Sequence, residues 1–260
     1  MRPVRALVPA LAVQEARRLM LHPVTLAGWA TYALAVVLDA VLVDAGPRAA
    51  FEGITSALSF FPGVLLILAA NLVATRDRRA ESGEMLAPLP GRAEERLQAL
   101  ALASLVPAAV GLAANVALYA YFLADHRFVV APSAWLVLAG PVTLVGACMF
   151  GYLLGTWVPG RSAAVVGVVV LVLVAAWLDN RGDARLFGLA TTWARWGSTN
   201  EAWAGVLPGS PALHLGYLVS LCALAFAASW VRVADRRTPA VVLGLAAVVA
   251  AAVLGLAQLP

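Results

Sequence analysis

Seven apolar stretches follow one another along this chain, at Val24–Val43, Ile54–Thr75, Leu97–Leu123, Ala134–Val158, Ala163–Leu178, Ala212–Val231 and Ala240–Ala257. Most approach the ~20 residues that a helix needs to cross a hydrocarbon core. A chain of 260 residues that spends so much of its length on such runs has few folds open to it. Hydrophobic residues make up 62% and charged ones only 12%, so a soluble domain has no way to cover the apolar surface. The expected class is all-α: a polytopic membrane helix bundle forming one transmembrane domain over residues 1–260. The first span is too long for a signal-peptide core and its charged leader too extended, so it is expected to act as an uncleaved anchor.

Charge placement sets the expected orientation. The 18 basic residues are all arginine. Thirteen fall on the leader side of the alternating spans: Arg2, Arg5, Arg17, Arg18, Arg76, Arg78, Arg79, Arg92, Arg96, Arg161, Arg232, Arg236 and Arg237. Five fall on the other side: Arg48, Arg127, Arg181, Arg185 and Arg195. The positive-inside rule therefore expects a multi-pass protein of the cell (inner or plasma) membrane with its N-terminus in the cytoplasm. If the last stretch also crosses, the C-terminus is outside.

The missing lysine excludes chemistry. A phosphate-binding P-loop needs its Lys, and so does a Schiff base. HExxH, GxSxG, CxxC and paired intramembrane aspartates are also absent from the sequence, which gives an enzymatic reading no cluster to stand on and leaves no candidate catalytic or metal-ligating residues. Cys148 and Cys222 lie within spans and read as small packing residues. The basic excess follows the positive-inside pattern, so no nucleic-acid partner is expected. Among intramembrane polar groups, Asp39 is a candidate ion or substrate contact. Asn71 and Asn115 suit interhelical hydrogen bonds, with a place on a substrate path as the other reading.

Three segments outside the spans carry further information. In the leader, residues 12–22, Ala12, Val13, Ala16, Leu19 and Met20 share one helical arc while Gln14, Glu15, Arg17 and Arg18 face away, and Pro23 breaks the helix. This describes either an amphipathic helix in the headgroup layer or an ordinary charged flank of the first span. The connection 76–92 opens with a basic cluster, continues through Glu81, Gly83, Glu84, Met85 and Leu86, and is stopped by Pro88 and Pro90. It suits a short helix presented to another protein, or a solvated turn with charge pairs. The connection 179–211 places Trp193, Trp196 and Trp203 on short amphipathic segments, as expected of a helix pair dipping into the outer interface.

Taken together, Glu15-Ala-Arg-Arg-Leu-Met-Leu-His-Pro23, Arg78-Arg-Ala-Glu-Ser-Gly-Glu-Met-Leu86 with Leu89-Pro90, and the 179–211 pair followed by Pro208-Gly-Ser-Pro-Ala-Leu-His214 resemble the membrane (permease) subunits of ABC-2-type ATP-binding-cassette transporters. The resemblance runs from about residue 12 to about residue 231. Pro88 and Gly91 depart from the usual coupling turn, and Ala240–Ala257 is additional to the usual six spans. The resemblance implies a six-span core, to which the apolar length of Ala240–Ala257 adds an expected seventh C-terminal span, together with an amphipathic connecting helix (Glu15, Arg17, Arg18, Pro23) and outer re-entrant helices. It implies a coupling segment made of Glu81, Gly83, Glu84, Met85, Leu86 and Pro90. It also implies a transport subunit without its own ATPase site, exporting an amphiphilic or hydrophobic substrate. Its partners would be a cytosolic P-loop ATPase dimer, which carries the ATP and Mg, and a second membrane subunit, identical or paralogous. The competing expectation is a proton- or ion-coupled secondary transporter using Asp39.

Overall fold

The computed structural model describes residues 7–38, 47–76, 92–128, 131–158, 160, 162–180 and 210–258. These form helices α1 (Leu7–Met20), α2 (Pro23–Val37), α3 (Pro47–Thr55), a π-helical turn (Ser59–Gly63), α4 (Val64–Ala74), α5 (Ala93–Ala103), α6 (Leu105–Ala124), α7 (Ala134–Trp157), α8 (Ala163–Asn180), α9 (Pro211–Val233) and α10 (Arg237–Leu256). No strand occurs among the described residues. Five helical stretches are long and apolar enough to cross a membrane: Ala49–Ala74, Ala93–Ala124, Ala134–Trp157, Pro211–Val233 and Arg237–Leu256. The pair α1–α2, bent by 59° between them, makes a sixth if it counts as one span. Helix α8 is apolar but shorter over its apolar part, Ala163–Trp177.

Prolines set where these helices deviate from ideal geometry. Pro62 has no N–H to give the carbonyl four residues back, and the backbone widens there into the π-helical turn. Gly63 closes this turn so tightly that a Cβ would sit 3.1 Å from the Leu58 carbonyl oxygen. Pro107 likewise deprives the Ala103 carbonyl of its donor, and the long helix is interrupted between α5 and α6 at Ser104. Pro141 lies inside α7 and leaves the Val137 carbonyl without its intrahelical donor. Here the helix continues, because Asn115 of α6 supplies a substitute: its Nδ2 donates to Val137 O and to Ile54 O, 3.0 Å each. One amide thus joins α3, α6 and α7.

The core is the seam between α4 and α7, which run parallel. Ser59 and Thr143 hydroxyls meet at 2.8 Å, and the seam then continues through two glycines one turn apart. A Cβ on Gly151 would lie 2.5 Å from the Ile67 carbonyl oxygen and 2.8 Å from Ala70 Cβ, and one on Gly155 would lie 3.0 Å from Thr75 Cγ2. Backbones this close gain dispersion contacts that lipid cannot match. Leu58, Leu66, Leu144, Cys148 and Tyr152 fill the space around the seam.

Helices α9 and α10 form an antiparallel hairpin over their whole length. Leu254 covers Gly216, and Ala227 lies under Gly244. The α9–α10 pair rests on α7 through α9. By contrast α8 is largely unburied, with Val166, Val170, Leu173 and Trp177 all exposed. An apolar face of that extent suits lipid rather than water.

Candidate functional site

Most of the described charged groups collect at one end of the bundle, and the leader helix organises those nearest to it. On α1 the buried residues are Ala12, Glu15, Ala16 and Leu19, an i, i+3, i+4, i+7 face. This corrects the arc read from the sequence. Glu15, expected on the outward face, is 7% exposed, and Val13, expected on the apolar arc, is 72% exposed. The reason lies 61 residues away. The two guanidinium nitrogens of Arg76 donate to Glu15 Oε2 and Oε1 at 2.6 and 2.7 Å, and Arg18 adds a third contact at 3.2 Å. A bidentate arginine is among the strongest partners a carboxylate can have. It satisfies Glu15 inside the protein and so fixes the rotation of α1. With Ala12, Ala16 and Leu19 on the same face, α1 packs on α5 and touches the lower part of α4.

Residues 21 and 22 turn the chain out of α1. His22 is extended at φ −65°, ψ 132°, as the residue before a proline must be. Its Nδ1 accepts the Val24 N–H at 3.3 Å, capping α2, and Pro23 occupies the first helical position. This elbow and the end of α4 enclose a groove of about 590 Å³. Gln14, Arg17, Arg18, Leu21, His22, Pro23, Leu72, Val73 and Arg76 line it.

The same end carries the start of α5 and the α9–α10 turn. Glu95 Oε2 accepts the Arg92 N–H at 2.9 Å, while Glu94 Oε1 accepts the Asp235 N–H at 2.7 Å. Arg92 and Asp235 form a solvent-exposed pair at 3.7 Å. Trp157, at the end of α7, donates its indole N–H to Ala228 O at 3.1 Å and lies beneath Arg232. Arg76 and Arg92, the described residues on either side of 77–91, therefore both belong to this end, and α1 contacts the helix on each side of that connection.

At the opposite end, His214 and Gln258 tie the α9–α10 hairpin shut. Gln258 Nε2 donates to Leu254 O at 2.8 Å, which turns its Oε1 toward the ring. His214 Nδ1–H then donates to it across 3.1 Å. Just past the end of α6, Arg127 pairs with Asp125 and lies against Tyr121 and Phe122.

The residues singled out from the sequence therefore fall into four groups. Glu15, Arg18 and Pro23 are brought together with Arg76, and Arg17 lines the same groove. Asn115 holds two backbone carbonyls, far from that groove. Asn71 is fully buried, yet neither of its amide atoms has a hydrogen-bond partner among the described residues, which differs from the interhelical bond expected of it. Its Nδ2 lies against Gly155, 3.3 Å from where a Cβ would sit. Asp39, the coupling residues Glu81, Gly83, Glu84, Met85, Leu86 and Pro90, and the tryptophans Trp193, Trp196 and Trp203 lie outside the described residues. Sequence reasoning passed over His22, Gln258 and Pro141. His22 before Pro23 carried an N-cap signal, and Pro141 implied an orphan carbonyl. Nothing local marked Gln258.

Comparison of the chain with protein-family models, with curated proteins and with solved structures finds no match.

Proposed function

We propose that the chain is the membrane-spanning permease subunit of an ABC transporter of the ABC-2 type. In this reading it exports an amphiphilic or hydrophobic substrate across the cell membrane and is driven by a separate cytosolic ATPase. The observation that carries the reading is the Glu15–Arg76 link. It joins the leader helix to the residue that opens the 77–91 connection, where the resemblance puts the ATPase contact. The arginine-rich end is then the cytoplasmic one, and in this reading α2 to α9 make up the six-span core and α10 a seventh span.

The mechanical logic follows from the connectivity. An ATPase dimer that closes on ATP pushes on 77–91, with Met85 and Leu86 as its apolar anchors and Glu81 and Glu84 setting register. The push reaches α4 through the chain and α1 through Arg76 and Glu15. Helix α1 is rigid and sits on α5, so both flanks of the connection move as a unit and the elbow at Pro23 passes the motion to α2. A second membrane subunit facing this one completes the path.

The test is co-purification of a candidate P-loop ATPase with the full chain, together with substrate-stimulated ATP hydrolysis. Met85→Asp with Leu86→Asp is expected to abolish ATPase capture. Glu15→Gln is expected to keep capture and lower the stimulation about tenfold, the size of a typical coupling energy. Capture and stimulation that neither variant changes would falsify the coupling role. A substrate flux driven by a proton gradient without any ATPase would favour the secondary-transporter alternative.

A further inference from the structure

The groove at the α1–α2 elbow has features that transport coupling does not use. Three arginines, Arg17, Arg18 and Arg76, stand on its wall together with His22, and its lining includes no acid among the described residues. Glu15, beneath the rim, engages Arg76 and Arg18. Arg17 has no acidic partner among the described residues, and Arg18 keeps 44% of its side chain exposed. The rest of the lining is apolar: Leu21, Pro23, Leu72 and Val73. Leu21 is 59% exposed, an unfavourable position in water and a favourable one against an acyl chain. The groove also sits where the charged leader gives way to the apolar α2, the kind of boundary that a bilayer matches with its change from headgroup to hydrocarbon.

We propose that this groove is a binding site for one anionic phospholipid. Its phosphate is held by Arg17 and Arg18 and its glycerol and upper acyl chains lie against Leu21, Pro23 and Leu72. Guanidinium groups suit this role because their paired N–H donors match phosphate oxygens. Basic pockets between spans on the positive-inside face collect such lipids. The charge complementarity selects the anionic class over zwitterionic headgroups, and the apolar floor selects a lipid over a free anion. The inference is independent of any ATPase partner.

The experiment uses the purified full chain in a neutral detergent, with thermal midpoint and retained lipid (native mass spectrometry) as readouts. Three probes are added separately: phosphatidylglycerol, phosphatidylcholine with the same chains, and glycerol phosphate. Phosphatidylglycerol is expected to raise the midpoint by about 5 °C, as a ligand present well above its dissociation constant does, and to leave one lipid bound. The other two are expected to give less than a third of that shift. Arg17→Gln breaks no described contact and is expected to remove at least half the phosphatidylglycerol shift, and Arg17→Lys to restore part of it. Arg236→Gln with Arg237→Gln, at the same end outside the groove, is expected to retain it. An equal shift from phosphatidylcholine, an equal shift from glycerol phosphate, or a full phosphatidylglycerol shift in Arg17→Gln would each overturn the proposal.

Discussion

Glu15–Arg76 and His214–Gln258 are both side-chain links between residues distant in sequence, 61 and 44 apart, and they close opposite ends of the bundle with opposite chemistry. The first joins full charges and has a third group, Arg18, attached. The second is neutral, with every hydrogen bond made by an imidazole or an amide. A charged link is costly to leave half-made, because the surviving ion stays in a poorly solvated place. A neutral link leaves an unpaired polar group and no ion, which is a smaller penalty. The arginine-rich end is therefore built so that Glu15 and Arg76 must stay together. The opposite end holds α10 to α9 chiefly by packing, with the His214–Gln258 bond as a small addition.

The largest expected effect comes from breaking the charged link on one side only. Glu15→Ala removes the bidentate carboxylate partner of Arg76 and is expected to destabilise the protein by about 2 kcal/mol. That is below the figure for a fully buried pair, since the Arg76 side chain is 33% exposed. Removing both partners, Glu15→Ala with Arg76→Ala, should cost less than the sum of the two single changes. A double-mutant cycle from unfolding in mixed micelles measures this coupling. Strict additivity would mean the two groups do not share an interaction.

Next comes Asn115→Ala, which tests the middle of the bundle against both ends. The change orphans two carbonyls, Ile54 O and Val137 O, of which the second has already lost its helical donor to Pro141. The expected loss is about 1–2 kcal/mol. Pro141→Ala should return a donor to Val137 O and lower the cost of Asn115→Ala. An unchanged cost in the Pro141→Ala background would remove the link drawn between the proline and the amide.

These cases also show what the sequence could and could not reveal. Runs of apolar residues read the helices well where the flanks were unambiguous: α7 was expected at Ala134–Val158 and ends one residue earlier, at Trp157. They read the start of the second span poorly. Pro47 opens a helix there, although Glu52 and Gly53 interrupt the apolar pattern until Ile54. Periodicity assigned Glu15 to the outer face of α1 because a lone carboxylate is hydrophilic. Its partner is 61 residues downstream, and no local pattern contains that information. Asn115 was recognisable as an interhelical donor type, but the identity of its acceptors depended on how α3, α6 and α7 come together. The glycines of the α4–α7 seam, Gly151 and Gly155, stood in the sequence as a small-residue repeat that the span analysis did not use.

The smaller effects belong to the neutral link and to the exposed pair beside the charged one. Gln258→Ala is expected to cost about 0.6 kcal/mol, the average for a hydrogen bond between membrane helices. Its clearest reading is fluorescence quenching or cysteine labelling at the end of α10, where fraying should increase while the global midpoint hardly moves. A loss as large as that of Glu15→Ala would contradict the contrast between the two ends.

Arg92→Ala comes last. Arg92 and Asp235 lie at the same end as Glu15 and Arg76, carry the same charges, and are 3.7 Å apart, but their side chains are 74% and 75% exposed. Water already solvates both ions, salt screens their attraction, and holding two long side chains in register costs entropy. The Glu94–Asp235 backbone contact and the Glu95 cap of α5 do not depend on the Arg92 side chain. Arg92→Ala is therefore expected to leave the unfolding midpoint unchanged within error at both low and high salt. Glu15→Ala, measured beside it, lowers the midpoint at both. If Arg92→Ala proved as damaging as Glu15→Ala, then position at the arginine-rich end, and not burial of the carboxylate, would be what makes an ion pair there matter.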